Sequence, residues 1–402
     1  MVESNTVDLN SKGWYLDVNP STLLGTWTKD KDVVSVNTDD AIAIEVSSDV
    51  TVNTLEGDDN ISGTSTSVGD NDDGNLDDIG IANAGTINTG KGKDTLSGTG
   101  NFAGIYNPYK STINTGADDD TIIATSKYKG IYNQGTINTD DGNDTITVTG
   151  NDAGIYNLNC INTGKGKDII TGSSTNNGIW NDYAGKINTG SGDDIVTGTS
   201  TGESGIINFK LTKLDGTILR QGIIDTGAGN DTITGTGASS GISNGGIINT
   251  GTGNDTIIAT GSSSGINNSG TINTGTGNDT ITATGSFSRF DNSGTIFTEA
   301  GNDIVDALTG GFVGNGSILV GDGNDIVKGF GSGLFDGGNG KDQLLFDSGT
   351  YTLSGSANSS GFYTISNGAT DMLVQNFELI SSANHPATAF DFNSVIGQTF
   401  TV

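Results

Sequence analysis

The stretch INTGTGNDTITATG, residues 272–285, decides the fold, and residues 248–261 carry the same segment as INTGTGNDTIIATG. Each copy sets one Asp after a glycine turn and just before a short apolar run. That Asp recurs at Asp59, Asp94, Asp120, Asp144, Asp168, Asp194, Asp231, Asp255, Asp279, Asp303, Asp325 and Asp342, most often 24 residues apart. A fixed period of this length marks a repeat architecture whose units cannot fold alone.

One period reads as three short strands, each with one inward aliphatic. The first follows the Asp and supplies Leu96, Ile122, Ile146, Ile170, Val196, Ile233, Ile257 and Ile281. The second is a G-I-x-N run and supplies Ile81, Ile105, Ile131, Ile155, Ile179, Ile206, Ile242 and Ile266. The third is a T-I-N run and supplies Ile87, Ile113, Ile137, Ile161, Ile187, Ile224, Ile248 and Ile272. Glycine holds the corners, where positive φ is needed, and no helical period competes. The fold expected is all-β, a right-handed parallel β-solenoid with about 24 residues per coil and a single column of Asp turns. Twelve coils at ~4.8 Å give a rod on the order of 55 Å long. Stacking also predicts a corner ladder of Asn83, Asn107, Asn133, Asn157, Asn181, Asn208, Asn244, Asn268 and Asn292. A second polar column is Thr99, Thr125, Thr149, Thr199, Thr236, Thr260 and Thr284.

Composition narrows the partners. Among 402 residues Gly is 65 and Pro only 3, so the glycine serves turns rather than collagen. Asp+Glu is 47 against Lys+Arg 17, a net charge of −30, which argues against nucleic acid and anionic membrane as partners. Cys160 is the single Cys, so no internal disulfide staples the fold. No apolar run reaches the ~18 residues of a membrane span. The N-terminal stretch lacks a basic segment followed by an apolar core, so no cleaved secretory signal is expected.

In a stack, the turn Asp of one coil lies about 5 Å from the next, and a file of bare carboxylates opposes folding. A hard cation held by carboxylate and carbonyl oxygens is the remedy. At this point the chain resembles the RTX (repeats-in-toxin, hemolysin-type calcium-binding) family, whose nonapeptide is G-G-x-G-x-D-x-aliphatic-x. The matching segments are TGAGNDTIT (226–234), TGTGNDTII (250–258), TGTGNDTIT (274–282), VGDGNDIVK (320–328) and GGNGKDQLL (337–345). The resemblance implies Ca²⁺ as cofactor, with the twelve turn Asp residues as metal ligands in one file along one edge. The 24-residue coil with one such turn is similar to the single-column solenoids of RTX adhesin ice-binding regions rather than to the two-sided β-roll. Three turns depart in carrying Lys93, Lys167 or Lys341 beside the Asp, where an ammonium is expected to replace the ion. GADDD (116–120) lacks the second glycine. The acidic run GDNDDGNLDD (69–78) is read either as a further calcium loop or as a solvated loop.

Three regions are expected: an N-terminal cap over residues 1–50, the repeats over 51–345, and a C-terminal cap over 346–402. The low-charge tail, residues 381–402, resembles the uncleaved C-terminal signal of RTX proteins, which implies export to the cell exterior. Residues 209–221, FKLTKLDGTILRQ, read as a hairpin around Asp215-Gly216, a cationic arm on an acidic rod. Tyr106, Tyr132, Tyr156 and Trp180 are expected as an outward aromatic stripe, with glycan binding as its functional reading. No enzyme is expected: His385 is the one His, arginine occurs only as Arg220 and Arg289, and no nucleophile–base set is visible. The leading expectation is a secreted calcium-dependent structural or adhesive protein that self-assembles at the cell surface, as S-layer proteins of the RTX type do. The competing expectations are an ice-binding or glycan-binding adhesin module and a polysaccharide-modifying β-helix enzyme.

Overall fold

Within each period an aliphatic side chain alternates with small polar ones, the pattern of a strand with one buried face. In the computed structural model, which describes residues 5–10, 14–16, 31–39, 42–67, 78–286, 290–308 and 310–402, these runs are strands. The chain winds as a parallel β-solenoid of about 12 turns, successive coils about 24 residues apart. A first sheet of 16 strands holds the segments that follow the turn Asp, a second of 12 holds the G-I-x-N segments, and a third of 16 holds the T-I-N segments.

Stacking keeps identical residues in register. Leu96, Ile122, Ile146 and Ile170 pair in file on the first sheet. Ile105, Ile131, Ile155 and Ile179 do so on the second, and Ile113, Ile137, Ile161 and Ile187 on the third. All three aliphatic columns read from the sequence are fully buried. At ~1.5–3 kcal/mol per buried side chain they are the main stabilising term. The corner asparagines form the expected ladder, each Nδ2 donating to Oδ1 one coil on, as from Asn133 to Asn157 (2.8 Å) and from Asn157 to Asn181 (2.8 Å). These amides are buried at the corner, so the ladder satisfies polar groups that water cannot reach.

Backbone crowding dictates the turns. Gly253 lies at φ +127° so close to the Gly229 carbonyl that a β-carbon would overlap it. The GADDD turn keeps the same path because Asp118 itself adopts φ 86° in the missing glycine's place.

Parallel stacking starts before the expected boundary at residue 51. Asn5–Asn10 pairs with Asp32–Thr38, and Trp14–Leu16 with Ile42–Val46. Much of the segment read as a cap therefore continues the coils without a glycine–Asp turn; Trp27 lies outside the described residues. At the other end the last parallel partners are Asp371–Gln375 and Leu379–Ser382. Antiparallel strands follow, with Thr350–Leu353 between Tyr363–Ser366 and Thr399–Thr401, and His385–Asp391 against Leu379–Ser382. Phe392, Val395 and Phe400 pack into the core, so the tail is folded onto the end of the rod. Residues 209–221 form the expected hairpin, Lys210–Thr212 antiparallel to Ile218–Gln221. Among the described residues no helix is long and apolar enough to cross a membrane.

Candidate functional site

Period-two alternation decides where the turn Asp points. In GNDTIT the Asn faces out, the Asp in, the Thr out and the Ile in. All twelve Asp side chains are no more than 1 % exposed. Each uses Oδ1 to accept the backbone N–H of the Asp one coil earlier, as at Asp231 to Asp255 and Asp255 to Asp279, both 2.8 Å. The file begins before Asp59: the Asp32 N–H donates to Asp59 Oδ1 at 2.7 Å. It ends on the cap, where the Asp342 N–H donates to Glu378 Oε2 at 2.7 Å. Asp32 and Glu378 escape sequence reading because neither follows a glycine turn.

The second oxygen of each carboxylate is the unusual one. Oδ2 of Asp59, Asp94, Asp120, Asp144, Asp168, Asp194, Asp231, Asp255, Asp279, Asp303, Asp325 and Asp342 is buried with no hydrogen-bond partner. An orphaned carboxylate oxygen is costly, and this one recurs at every turn. Burial pushes Asp120, Asp144, Asp194, Asp255 and Asp325 up to about 7, and Asp94, Asp303 and Asp342 up to about 6. Asp59, Asp168, Asp231 and Asp279 are raised by the same cause. The backbone N–H that Oδ1 accepts pulls the other way. Beside the file runs an inner threonine column that sequence reading missed, including Thr89, Thr163, Thr189 and Thr250, whose hydroxyls donate to the Thr carbonyl one coil on. Its signal is the Thr that precedes the first glycine in most repeats.

These groups fit a hard cation. Each coil offers one unpartnered carboxylate oxygen, and the Gly229, Gly253 and Gly277 carbonyls point up the stack into the space where the next glycine lacks a β-carbon. Among the described residues no three carboxylate, thiol or imidazole side chains converge. An ion would therefore take its ligands from one or two carboxylates and from turn carbonyls, in the oxygen-only manner of calcium.

The Lys93 ammonium does not enter the carboxylate file. Lys93 and Lys167 precede the inward Asp and so occupy the outward slot. The Lys93 ammonium pairs with the exposed Asp119 at 2.6 Å, and Asp168 beside Lys167 is as buried and as orphaned as Asp255. The outward slot forms its own ladder in the opposite sense. Asn230, Asn254, Asn278 and Asn302 each accept, at Oδ1, the backbone N–H of the equivalent residue one coil later, at 2.7–2.8 Å.

Two outer surfaces complete the picture. Tyr106, Tyr132, Tyr156 and Trp180 stack as expected, with ring centroids 5.2, 5.3 and 5.0 Å apart. The rings are half-buried, and the Lys129 ammonium lies 3.8 Å from the Tyr128 ring centroid and pairs with Asp152. On the first sheet the predicted polar column from Thr99 to Thr284 faces outward and is one of three parallel ranks. The others run Thr95, Thr121, Thr145, Ile169, Ile195, Thr232, Thr256, Thr280 and Ser97, Ile123, Thr147, Thr171, Thr197, Thr234, Ile258, Thr282. This face carries no charge over eight coils of a chain with net charge −30. Sequence reading predicted the Thr99–Thr284 column alone and missed the two ranks beside it.

Of the acidic run 69–78, all but Asp78 lies outside the described residues; Asp78 is fully buried. His385 is exposed on the cap. No protein-family model matches the chain, and no curated protein matches it in sequence.

Proposed function

We propose that the chain is a secreted, calcium-dependent structural rod of the RTX type that presents its long faces at a cell surface or in a surface lattice. The observation that carries this reading is the buried file of twelve carboxylates, each with one oxygen lacking a partner. At neutral pH such a file needs a counter-charge, and calcium supplies it when bound. The chain's own residues then do the rest: Oδ1 fixes the preceding coil through its N–H, Oδ2 and turn carbonyls would hold the ion, and the isoleucine columns close behind the turn. Extracellular calcium modules bind at roughly 10⁻⁴ to 10⁻³ M, so the chain stays unfolded in a low-calcium compartment and folds outside. Circular dichroism of the full chain at pH 7.5 tests this. A β signal that appears on adding millimolar calcium and disappears with chelator is expected; an equal signal in both overturns it.

A second reading rests on the threonine face of the first sheet. Hydroxyl and methyl groups on a grid of about 4.8 by 6.7 Å, free of charge, suit an ordered water lattice, which makes ice the alternative surface for adhesion.

A further inference from the structure

Among the described residues, the exposed large apolar side chains concentrate in the hairpin. Phe209, Leu211, Leu214, Ile218 and Leu219 are all exposed, Leu214 completely. A monomeric rod gains nothing from apolar groups on a projecting arm, and such a cluster marks a contact surface. The base of the arm is anchored: Phe209 packs edge-on against Tyr183 at 5.2 Å, and the Lys210 ammonium donates to the Ser269 carbonyl. The tip is free. Lys213 and Arg220 form no ion pair among the described residues, and the arm carries three cations to one carboxylate, Asp215, on a chain of net charge −30.

The complementary surface lies nearer the N-terminal end of the rod than the arm does. A groove of about 610 Å³ beside the turn column is lined by Leu55, Glu56, Lys91, Ala117, Asp140 and Asp141 among others. Leu55 is exposed there, an apolar spot rimmed by Glu56, Asp140 and Asp141 against the ammonium groups of Lys91 and of Lys165, which pairs with Asp141 at 2.9 Å, so the rim keeps a net negative charge. The arm is the inverse of this groove in charge and shares its apolar centre.

We infer that the hairpin of residues 209–221 docks into the groove around Leu55 and Asp141 of a second copy of this chain, joining rods by a repeating heterologous contact. Arm-to-arm pairing is disfavoured because it brings like charges together. Groove and arm sit at different heights on the rod, so copies that run parallel join by this contact as an open file or sheet. One arm buries less than a standard interface, so each contact is weak, on the order of micromolar or weaker, and the assembly holds by multiplicity. The inference rests on the surface-assembly reading above, but not on calcium as the ion.

The test uses the full chain in calcium, with Cys160→Ser throughout. Sedimentation velocity should show concentration-dependent association that weakens by about tenfold between low and high salt and is lost in Leu214→Asp. Mixing Leu214→Cys and Asp141→Cys chains under mild oxidation should yield a disulfide-linked pair that neither variant gives alone. Both positions are exposed, so the fold is kept, as circular dichroism checks. Association unchanged in Leu214→Asp, cross-linking of Leu214→Cys with itself, or a monomer under all conditions overturns the inference. The mixed cross-link in a chain that folds without calcium sinks the calcium reading and leaves the arm standing. A calcium-requiring monomer does the reverse.

Discussion

At Asp255 one oxygen builds structure and the other is left for a counter-charge, and this division makes the residue's behaviour with pH readable. Because burial raises most of these carboxyls to about 6 or 7, above their unfolded value, the ion-free folded chain binds more protons than the unfolded one between about pH 4 and 7. Stability of the calcium-free chain is therefore greatest in acid and is lost as pH rises through that window. Titrating the chain in chelator from pH 5 to 8 should show β signal at the acid end fading toward pH 8, and calcium should abolish the dependence. A flat profile would count against burial as the source. The same geometry makes coils equivalent whatever stands outside them. Asp168→Asn and Asp255→Asn should lower stability in calcium by similar amounts, roughly 1–3 kcal/mol each, measured by thermal melts; a clearly smaller loss at Asp168 would restore Lys167 as a substitute ion. That Lys167 faces outward was legible in the sequence, since neighbours on an extended segment point to opposite sides. The inner threonine column was open to the same rule, as Thr250 stands two residues after the inward Ile248, but Thr also fills outward positions and its chemistry does not tell in from out.

At the scale of the strand, the aliphatic files were legible because each Ile is the one large apolar residue in a run of Gly, Thr and Asn. The corner asparagines were legible for the related reason that one residue type recurs where the chain must bend. The N-terminal coils were not, since Asn5–Asn10 and Trp14–Leu16 lack the glycine–Asp turn that marks the others. The uncharged threonine face shows only after the strands are aligned, when three scattered columns become one plane. Its prediction belongs to the sheet as a whole. If ice is its surface, the calcium-loaded chain should inhibit ice recrystallisation. Thr197→Tyr with Thr234→Tyr, in the central rank, should reduce that activity at least about tenfold by breaking the plane, with circular dichroism unchanged. A wild-type chain without ice activity dismisses this face as an ice binder.

For the whole molecule, the tail has a structural task whether or not it is also read for export. Ser381 and Ser382 are buried at the end of the first sheet, and Phe392, Val395 and Phe400 cover the last coil. Export is tested without disturbing that cover by fusing residues 346–402 to a reporter in a cell with a type I channel. The reporter should reach the medium intact and stay inside when residues 381–402 are omitted; equal export of both fusions dismisses the tail as a signal. Glu378 has a wider consequence. Each Asp N–H leans on the carboxylate of the coil after it, so the stack has a sense, like an arrow. A rod cut anywhere shows carboxylates at its N-terminal cross-section and bare N–H groups at its C-terminal one. Two such fragments can join only nose to tail, and each junction recreates the open cross-sections at the far ends. Glu378 is the acceptor that halts this, a full stop at the end of a sentence that the repeats alone would continue indefinitely as a fibre.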